Sequence, residues 1–255
     1  MKDNLHNEIR WILQEKYNGQ MTALAKKDVA RLKAGEPVDF LIGFVEFLGC
    51  KIDLSKRPLI PRLETEFWVE KAIDEMKAHS TRFTRSGQNL RILDMFSGSG
   101  CIGVAVLKGV ENSLCDFADS EDNCLKQIKV NCKINGIKKN RVGIIESDIF
   151  ENVEGKYDYI FANPPYIPVK NQHKVQKSAL QYEPHAAMFG GNDGLTYINI
   201  FLADAKNHLN AGGKIFMEFD SPQKKKIEAM LKKYGYRNFE FKKDQFHRWR
   251  YVVAN

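Results

Sequence analysis

One stretch of this sequence ends a run of strand-forming residues on an amide, two prolines and an aromatic ring. It spans Asp158–Tyr166, DYIFANPPY, and its last four residues are Asn163, Pro164, Pro165 and Tyr166. Proline has no backbone N–H, so the pair removes two donors and restricts the directions of the neighbouring carbonyl groups. The asparagine side chain adds an acceptor oxygen. The stretch therefore predicts a slot of acceptors for a planar NH2 group, with the tyrosine ring against its flat face.

Methylation of a planar nitrogen is the chemistry that this slot suits. One hydrogen of the NH2 group can bond to the side-chain oxygen of Asn163 and the other to the carbonyl of Pro164. The nitrogen gains positive charge as it attacks a sulfonium methyl group, and acceptors directed at its hydrogens stabilise that charge as it develops. No strong base is required, because the product can lose its proton afterwards. We therefore predict that Asn163, Pro164, Pro165 and Tyr166 form the catalytic site.

A glycine-rich turn, LDMFSGSGCIG at Leu93–Gly103, lies between a predicted strand and a predicted helix. Its glycines permit a tight turn and a close approach of ligand to backbone, and the helix N-terminus offers free N–H groups. A dinucleotide-dependent enzyme is one interpretation, with Asp119, at the end of the next strand, on the ribose hydroxyls. Asp94 argues against it, because a carboxylate directly before the turn would repel a pyrophosphate. A hydride-transfer site also has no need of NPPY.

A ligand with a cationic amino-acid part and no phosphate fits this turn better. S-adenosylmethionine is such a ligand, and Asp94 beside the turn suits its charge. Asp119 would then hold the ribose hydroxyls. Asp148, after the third predicted strand, would lie near the adenine, with Ile149 as an apolar wall. The sequence therefore predicts a cofactor site formed where these strands end.

The elements that must position these residues follow from a repeated strand–turn–helix pattern that begins at Leu90. Such alternation predicts a parallel, doubly wound α/β sheet, whose ligands bind at the carboxyl ends of the strands. Strands are predicted at 90–95, 113–119, 141–148, 156–163 and 214–219, with a closing antiparallel pair at 237–244 and 247–255. Helices are predicted at 101–109, 120–136, within 193–213, where Gly212–Gly213 would end the helix, and at 221–235.

The N-terminal part reads differently. Residues 1–35 have apolar residues at helical spacing, and 40–54 predict a β-hairpin or short strands. After an extended piece that ends at Pro61, Glu64 or Thr65 could cap the next helix. Residues 1–50 are therefore predicted to be a small appendage to a domain at 51–255.

Composition bounds the class of protein. With 43% hydrophobic and 28% charged residues, the chain is typical of a globular protein with one full core. No apolar run reaches the length of about 18 residues that a membrane helix needs, and the N-terminus has no signal-peptide pattern. Five cysteines without a CxxC pair, and no histidine near Cys124 and Cys132, predict reduced thiols, no metal site and a cytoplasmic location.

The net charge of +7 is concentrated at the C-terminus. Residues 221–255 hold ten Lys/Arg and three Asp/Glu, whereas 1–220 hold 29 of each. The run Lys224–Lys226 begins this basic tail. A solvated face is one interpretation, and a surface that meets nucleic acid or a ribosome-associated protein is the other.

NPPY after a glycine turn is similar to the motif of methyltransferases that act on amide or exocyclic amino nitrogens, which include adenine-N6 and protein-glutamine enzymes. The segments around it resemble one family, the release-factor glutamine methyltransferases of the HemK/PrmC type. The segments are GEPVDFLIGFVEFLGCKI, LIPRLETE at Leu59–Glu66, YEPHAAMFGGNDGLTYI at Tyr182–Ile198, GGKIFMEFDSPQ at Gly212–Gln223 and DQFHRWRYVVA at Asp244–Ala254. The resemblance covers about residues 35–255.

This resemblance implies a Rossmann-like, class I S-adenosylmethionine-dependent methyltransferase fold. Its sheet would have seven strands, mostly parallel with an antiparallel last strand, and the appendage at 1–50 would be helical and contact the partner. The substrate would be the glutamine of the GGQ motif of class I peptide chain release factors, held by NPPY, and the enzyme is expected to be a monomer. The product of the cofactor would be S-adenosylhomocysteine.

The resemblance also implies site residues. The cofactor would contact Phe96, Ser97, Gly98, Ser99, Gly100, Asp119, Ile149 and Asn163, and the substrate entrance would be lined by Pro61, Arg62, Thr65 and Glu66. Three features depart from the family pattern. Phe96 stands where the family usually has a small turn residue, often glycine, Asp220 stands where it has glycine, and the N-terminal region is short.

Two other functions are compatible with parts of the sequence. An adenine-N6 methyltransferase would use the same acceptor slot, and the basic tail supports it. No separate target-recognition domain is evident, however, and a base in a duplex would have to be flipped out. The third hypothesis is a basic α/β module that binds RNA or ribosomes without catalysis.

Overall fold

The computed structural model describes residues 2–83 and 89–255. The N-terminal part contains helices α1 (Lys2–Tyr17), α2 (Ala23–Lys33) and α3 (Val38–Ile42), a hairpin of β1 (Phe44–Phe47) and β2 (Cys50–Asp53), and the long helix α4 (Leu63–Phe83). The alternating part contains β3 (Leu90–Met95), α5 (Cys101–Gly109), β4 (Ser113–Asp119), α6 (Asp122–Ile134), β5 (Val142–Glu146), β6 (Tyr157–Ala162), α7 (Lys177–Tyr182), α8 (Thr196–Asp204), β7 (Leu209–Glu218), α9 (Lys224–Lys233), β8 (Phe239–Lys243) and β9 (Trp249–Ala254).

The central sheet has seven strands in the order β5-β4-β3-β6-β7-β9-β8. Strands β3 to β7 pair in parallel, and β9 runs antiparallel to both β7 and β8. The predicted doubly wound α/β sheet with an antiparallel last strand is therefore confirmed. The strand order reverses between β3 and β6, and open α/β sheets form their ligand crevice at such a point.

The register of β3 and β6 brings the two predicted motifs together. Met95 pairs with Ala162 at the carboxyl end of this ladder. The glycine turn therefore leaves the sheet beside Asn163. Met95 and Ala162, 67 positions apart in the chain, thus bring both motifs to the same crevice.

Apolar side chains cover both faces of the sheet, as expected for buried parallel strands. One face packs Phe161 and Phe216 against Trp68 of α4. The other packs Ile160 and Met217 against helices that include α8. Each such side chain contributes roughly 1.5–3 kcal/mol when fully buried, so the strand ends that carry the site are held rigidly.

The N-terminal region has two parts. Helices α1–α3 pack around a small core that includes Ile12, Leu32 and Leu41. The hairpin belongs instead to the main core through residues such as Phe47 and Ile52. A boundary after residue 50 would fall inside β2, so the hairpin joins the sheet domain in packing. The division into two domains stays a prediction.

Two local predictions were wrong. Helix α8 ends at Asp204, and Gly212–Gly213 lie inside strand β7 rather than at a helix end. A Cβ on Gly213 would come within 2.9 Å of the Tyr157 carbonyl oxygen, so the close approach of neighbouring strands requires glycine there. Neither Glu64 nor Thr65 caps α4, because the helix already begins at Leu63.

No helix within residues 2–83 and 89–255 is long and apolar enough to cross a membrane.

Candidate active site

The glycine turn after β3 is built on left-handed backbone. Phe96, Gly98 and Gly100 have φ angles of 58°, 54° and 76°. The Gly98 N–H donates to Asp119 Oδ2 at 2.8 Å, and the Ser97 hydroxyl donates to the Asp94 carbonyl at 2.6 Å. The turn is therefore tied to the ends of both β3 and β4.

Gly103 lets helix α5 lie directly on the sheet. A Cβ at this position would come within 2.3 Å of the Phe117 ring. Any side chain would push the helix, and the turn that precedes it, away from the strand ends. The third glycine of the motif therefore serves packing, as in other doubly wound folds.

Asp94 lies beneath the turn and has no exposed surface. Its Oδ2 accepts a hydrogen bond from the Gly103 N–H at 2.9 Å, and its Oδ1 has no hydrogen-bond partner. Burial, which the Gly103 bond only partly offsets, raises the pKa of Asp94 to about 8. Asp94 is not in the wall of the cavity, so the structure places it behind the predicted cofactor residues rather than among them.

Asn163 follows β6 and is half-buried. Its Nδ2 lies 3.4 Å from Thr65 Oγ1. The Thr65 hydroxyl donates to Glu218 Oε2 at 2.7 Å, and the Trp68 indole N–H donates to the same oxygen at 2.7 Å. The acceptor slot predicted from NPPY is thus connected to a buried carboxylate on β7.

Tyr166 is connected to the same carboxylate. Its hydroxyl donates to Glu218 Oε1 at 3.0 Å, and its carbonyl accepts from Gln223 Nε2 at 2.9 Å. Burial is the main cause that raises the pKa of both Tyr166 and Glu218, and the three hydrogen bonds from Tyr166, Trp68 and Thr65 oppose it at the carboxylate. The prediction that the Tyr166 ring packs on the acceptor NH2 group is not tested.

A cavity of about 190 Å³ lies in the crevice. Most of the predicted residues line it: Pro61, Arg62, Thr65, Phe96, Ser97, Gly98, Ser99, Asp119, Asp148, Ile149, Asn163 and Pro165. Five predicted residues are not in its wall: Glu66, Asp94, Gly100, Pro164 and Tyr166. The structure therefore brings together the glycine turn, the ends of β4 and β5, NPPY and the segment before α4.

The entrance segment is held by one buried acid. Glu183 accepts from the Ile60 N–H at 3.0 Å and from Arg62 Nη2 at 2.7 Å. Glu66, predicted at the entrance, instead accepts from the Leu48 N–H of the hairpin at 2.7 Å. Glu66 is thus a support for the hairpin turn in this structure.

Ile149 has a backbone conformation that β-branched residues rarely adopt, with φ at 52°. The Ser147 hydroxyl donates to the Ile149 carbonyl at 2.8 Å and accepts from the Asn152 N–H at 3.0 Å. These bonds hold the strained residue at the cavity wall, where its buried side chain is apolar. Strain of this kind collects at ligand sites.

Sequence reasoning missed Glu218, Trp68, Glu183 and Tyr197 as residues of or around the site. Glu218 carried a usable signal, because an acid among the apolar residues of IFMEF, at 215–219, needs buried partners. Glu183 sits in the segment that carried the family resemblance. Tyr197 lines the cavity and lies 6.3 Å from the Phe96 ring, edge to face. No local pattern distinguishes it from an ordinary helix residue.

The charge of the cavity suits a cationic ligand. Asp119, Glu121 and Asp148 are among its lining residues, whereas the one basic lining residue within the described chain, Arg62, is paired with Glu183. Asp119 keeps lone pairs for hydroxyl donors beyond the two backbone bonds it accepts, from Gly98 and Glu121. Together with the apolar wall at Ile149, the residues fit S-adenosylmethionine, which joins a cationic sulfur and amino group to a ribose and an adenine.

Lysines of the basic tail have partners within the molecule. The ammonium group of Lys224 lies 4.1 Å from the centre of the Trp249 ring, and Lys226 pairs with Asp193 at 3.2 Å. Lys225, between them, is exposed. Contact of the tail with nucleic acid or the ribosome stays a prediction.

Comparison with known proteins identifies relatives of this chain. The profile of the methyltransferase small domain family matches residues 76–187. The chain is 32% identical, over 89% of its length, to the release factor glutamine methyltransferase of Lactococcus lactis subsp. lactis and covers 82% of that protein. It is 31% identical, over 88% of its length, to the enzyme of the same name from Flavobacterium psychrophilum and covers 77% of it.

A solved structure supports the fold. The catalytic domain of human METTL16, in complex with a MAT2A 3'UTR hairpin, superposes with a TM-score of 0.63 at 14% identity, covering 99% of this chain and 91% of that one. At this identity the likeness concerns the fold alone.

The fold and the site define an S-adenosylmethionine-dependent methyltransferase. The identity and coverage of the curated relatives then narrow the class. The chain belongs to the release factor glutamine methyltransferase family.

Proposed function

We propose that this enzyme methylates the side-chain amide nitrogen, N5, of the glutamine in the GGQ motif of class I peptide chain release factors. The observation that carries the proposal is the state of Asn163 in the cavity wall. Its Nδ2 faces Thr65, and no donor among the described residues bonds to its Oδ1. The slot therefore offers a free acceptor to an incoming NH2 group, as an amide substrate requires.

The cofactor would be held by the residues at the strand ends. Gly98, Ser99 and Phe96 would contact the amino-acid part, Asp119 the ribose, and Ile149 with Asp148 the adenine side. When bound, S-adenosylmethionine supplies a methyl group attached to a positively charged sulfur. It would leave as S-adenosylhomocysteine.

The residues of the slot act on the acceptor amide. An amide nitrogen is a weak nucleophile, because its lone pair is delocalised into the carbonyl group. When the amide nitrogen takes the methyl group, the carbon–sulfur bond of the cofactor would break with its electron pair left on sulfur, and positive charge would develop on the nitrogen. Asn163 Oδ1 would hold one N–H group and stabilise that charge, and the Pro164 carbonyl, which belongs to a residue outside the cavity wall, is the second acceptor that the NPPY motif predicts. The extra proton can pass to water afterwards.

The rigid walls would also orient the amide. NPPY leaves a buried strand, and Pro165 and Asn163 line the cavity beside the glycine turn. The site would hold the acceptor nitrogen in line with the methyl group. This removes the entropic cost of bringing the two groups together from solution.

The partner would dock around the entrance. Pro61 and Arg62 line the cavity, and Arg62 is partly exposed while it pairs with Glu183. Helices α1–α3 precede this segment in the chain, separated from it by the β1–β2 hairpin, and are the part that we assign to contact with the release factor.

The test is a methylation assay on a purified class I release factor with labelled S-adenosylmethionine, followed by mass spectrometry of the peptide that contains GGQ. We expect one methyl group on the glutamine side chain. The matched control is the same release factor with that glutamine replaced by asparagine, which keeps the amide but moves it by one methylene, and it should stay unlabelled. Label on nucleic acid, with none on the release factor, would refute the proposal.

A further inference from the structure

We propose that Thr65 and Glu218 are positioning residues that determine which end of the Asn163 amide faces the acceptor group. The inference rests on the proposed function, since it concerns the same slot, but it does not depend on which amide enters. Neither residue needs to touch the substrate for this role. Both act through Asn163.

Glu218 is fixed as an acceptor by its donors. Its side chain is 1% exposed, and Oε2 receives the Trp68 indole N–H and the Thr65 hydroxyl, each at 2.7 Å. An indole N–H can only donate, so the oxygen that faces it must accept. The short distance from Thr65 to the same oxygen then assigns the one hydroxyl proton of Thr65 to Glu218.

Because its only hydroxyl proton is bonded to Glu218, Thr65 can only accept a hydrogen bond from Asn163. The contact between Asn163 Nδ2 and Thr65 Oγ1, at 3.4 Å, is longer than the bonds from Thr65 and Trp68 to Glu218 and adds little energy as a bond. Its importance lies in the cost of the other orientation, in which the Asn163 amide is rotated by half a turn. A rotated amide would place the lone pairs of Oδ1 against the lone pairs of Thr65 Oγ1, with no proton between them. The amide is therefore held with nitrogen towards Thr65 and oxygen free.

This orientation has a chemical consequence. With Oδ1 available, the slot accepts hydrogen bonds from an NH2 group. With the amide reversed, the slot would present its own NH2 group to that of the substrate, and donors would face donors. The relay from Glu218 through Thr65 to Asn163 thus decides whether the slot stabilises the developing charge or repels the group that carries it.

Replacing Glu218 by glutamine separates the two branches of the relay. In Glu218→Gln the carboxamide oxygen must stay on Trp68 and Thr65, because both donate to it. The new NH2 group then takes the place of Oε1 and donates to the Tyr166 hydroxyl, reversing that bond alone. Thr65→Val breaks the other branch, because valine keeps the shape of threonine without its hydroxyl.

The first experiment reads the amide directly and needs no substrate. The side-chain NH2 signals of Asn163 are assigned in nitrogen-15 NMR spectra of the full chain by their loss in Asn163→Ala. We expect Thr65→Val to speed exchange of these hydrogens with water several-fold, whereas Thr65→Ser and Glu218→Gln keep them near the wild-type rate. Unchanged exchange in Thr65→Val would overturn the proposal, whatever the substrate proves to be.

The second experiment is a double-mutant cycle on turnover of the release factor. Thr65→Val should lower kcat by about tenfold or more without changing the affinity for S-adenosylmethionine, and Thr65→Ser should restore most of the rate. In the Asn163→Ala background, Thr65→Val should change kcat by less than about twofold, since its target is gone. Equal losses in both backgrounds would overturn the relay. A wild-type enzyme inactive on release factor would refute the proposed function instead, and the NMR result would still decide the relay.

Discussion

Two carboxyl groups are buried near the carboxyl ends of the strands, where the site forms, and they differ in how many hydrogen bonds they accept. Glu218 at the end of β7 accepts from three side chains, those of Thr65, Trp68 and Tyr166. Asp94 near the end of β3 accepts one backbone N–H, from Gly103, and leaves Oδ1 without a partner. Burial raises the pKa of both acids.

The difference shows how one crevice combines two tasks. A carboxylate with three side-chain donors sets hydrogen-bond directions, which the acceptor slot needs. A carboxyl group with one bond to the backbone holds a turn in place and leaves its other oxygen without a partner. We infer that the slot side depends on hydrogen bonds among side chains, whereas the cofactor side depends on left-handed backbone and on bonds between side chains and that backbone.

The largest effect should come from replacing the two acids by apolar residues of similar size. Glu218→Met strands three buried donors and should destabilise the protein by about 3–5 kcal/mol. Asp94→Leu strands only the Gly103 N–H and should cost about 1–3 kcal/mol. Urea unfolding of both variants and the wild type measures the difference. A larger loss for Asp94→Leu would remove the contrast between the two sites.

Asn163→Ala should affect the reaction rather than the fold. Removing the free acceptor should raise the barrier by about 3 kcal/mol, seen as a loss in kcat of roughly a hundredfold. Affinity for S-adenosylmethionine, measured by calorimetry, should change far less. Retained turnover in this variant would show that Asn163 takes no part in the reaction. The orientation of its amide would then have no effect on catalysis.

The variant Asp94→Asn tests whether the buried carboxyl group on the cofactor side makes the stability of the fold depend on pH. The folded pKa of about 8 lies above the ordinary value of 3.8, so the folded state holds the proton more tightly than the unfolded state. The stabilisation is complete below the ordinary value and is lost as the pH rises through about 8. Relative to Asp94→Asn, the wild type should therefore lose about 3–4 kcal/mol between about pH 5 and pH 8.

Unfolding of both proteins at several pH values measures that change. The asparagine variant keeps an acceptor for Gly103 and has no titratable group at this position, so it serves as the reference for the wild type. A difference between the two proteins that does not vary with pH would mean that Asp94 is ionised in the fold throughout, and that its free oxygen is solvated.

The smallest effect concerns backbone strain in the glycine turn. Phe96→Gly and Phe96→Ala both remove the ring, but only glycine adopts the left-handed conformation at φ 58° without strain. The glycine variant should be more stable than the alanine variant by about 1 kcal/mol. Thermal unfolding of the pair tests this. Equal stability would show that the turn adopts another conformation when the ring is lost. The side chain of Phe96, rather than the backbone, would then hold the left-handed conformation.

Much of the fold could be predicted from local patterns. Alternating strands and helices indicated the seven-stranded sheet, and the glycine turn and NPPY marked the two sides of the crevice. The prediction was weaker where two conformations share one local pattern. Gly212–Gly213 can end a helix or allow strands to approach closely, and only the position of Tyr157 across the sheet decides between them. Thr65 can cap a helix or bond across the core for the same reason.

What the sequence by itself determined is the set of strand ends and the chemical groups that stand on them, because strand periodicity and turn residues act over a few positions. Only the tertiary structure decided which groups meet. The pairing of Met95 with Ala162 places the cofactor turn beside the acceptor slot. The contact between α4 and β7 joins Thr65 to Glu218 across 153 positions. Such contacts depend on packing across the sheet, which has no local signature in the chain.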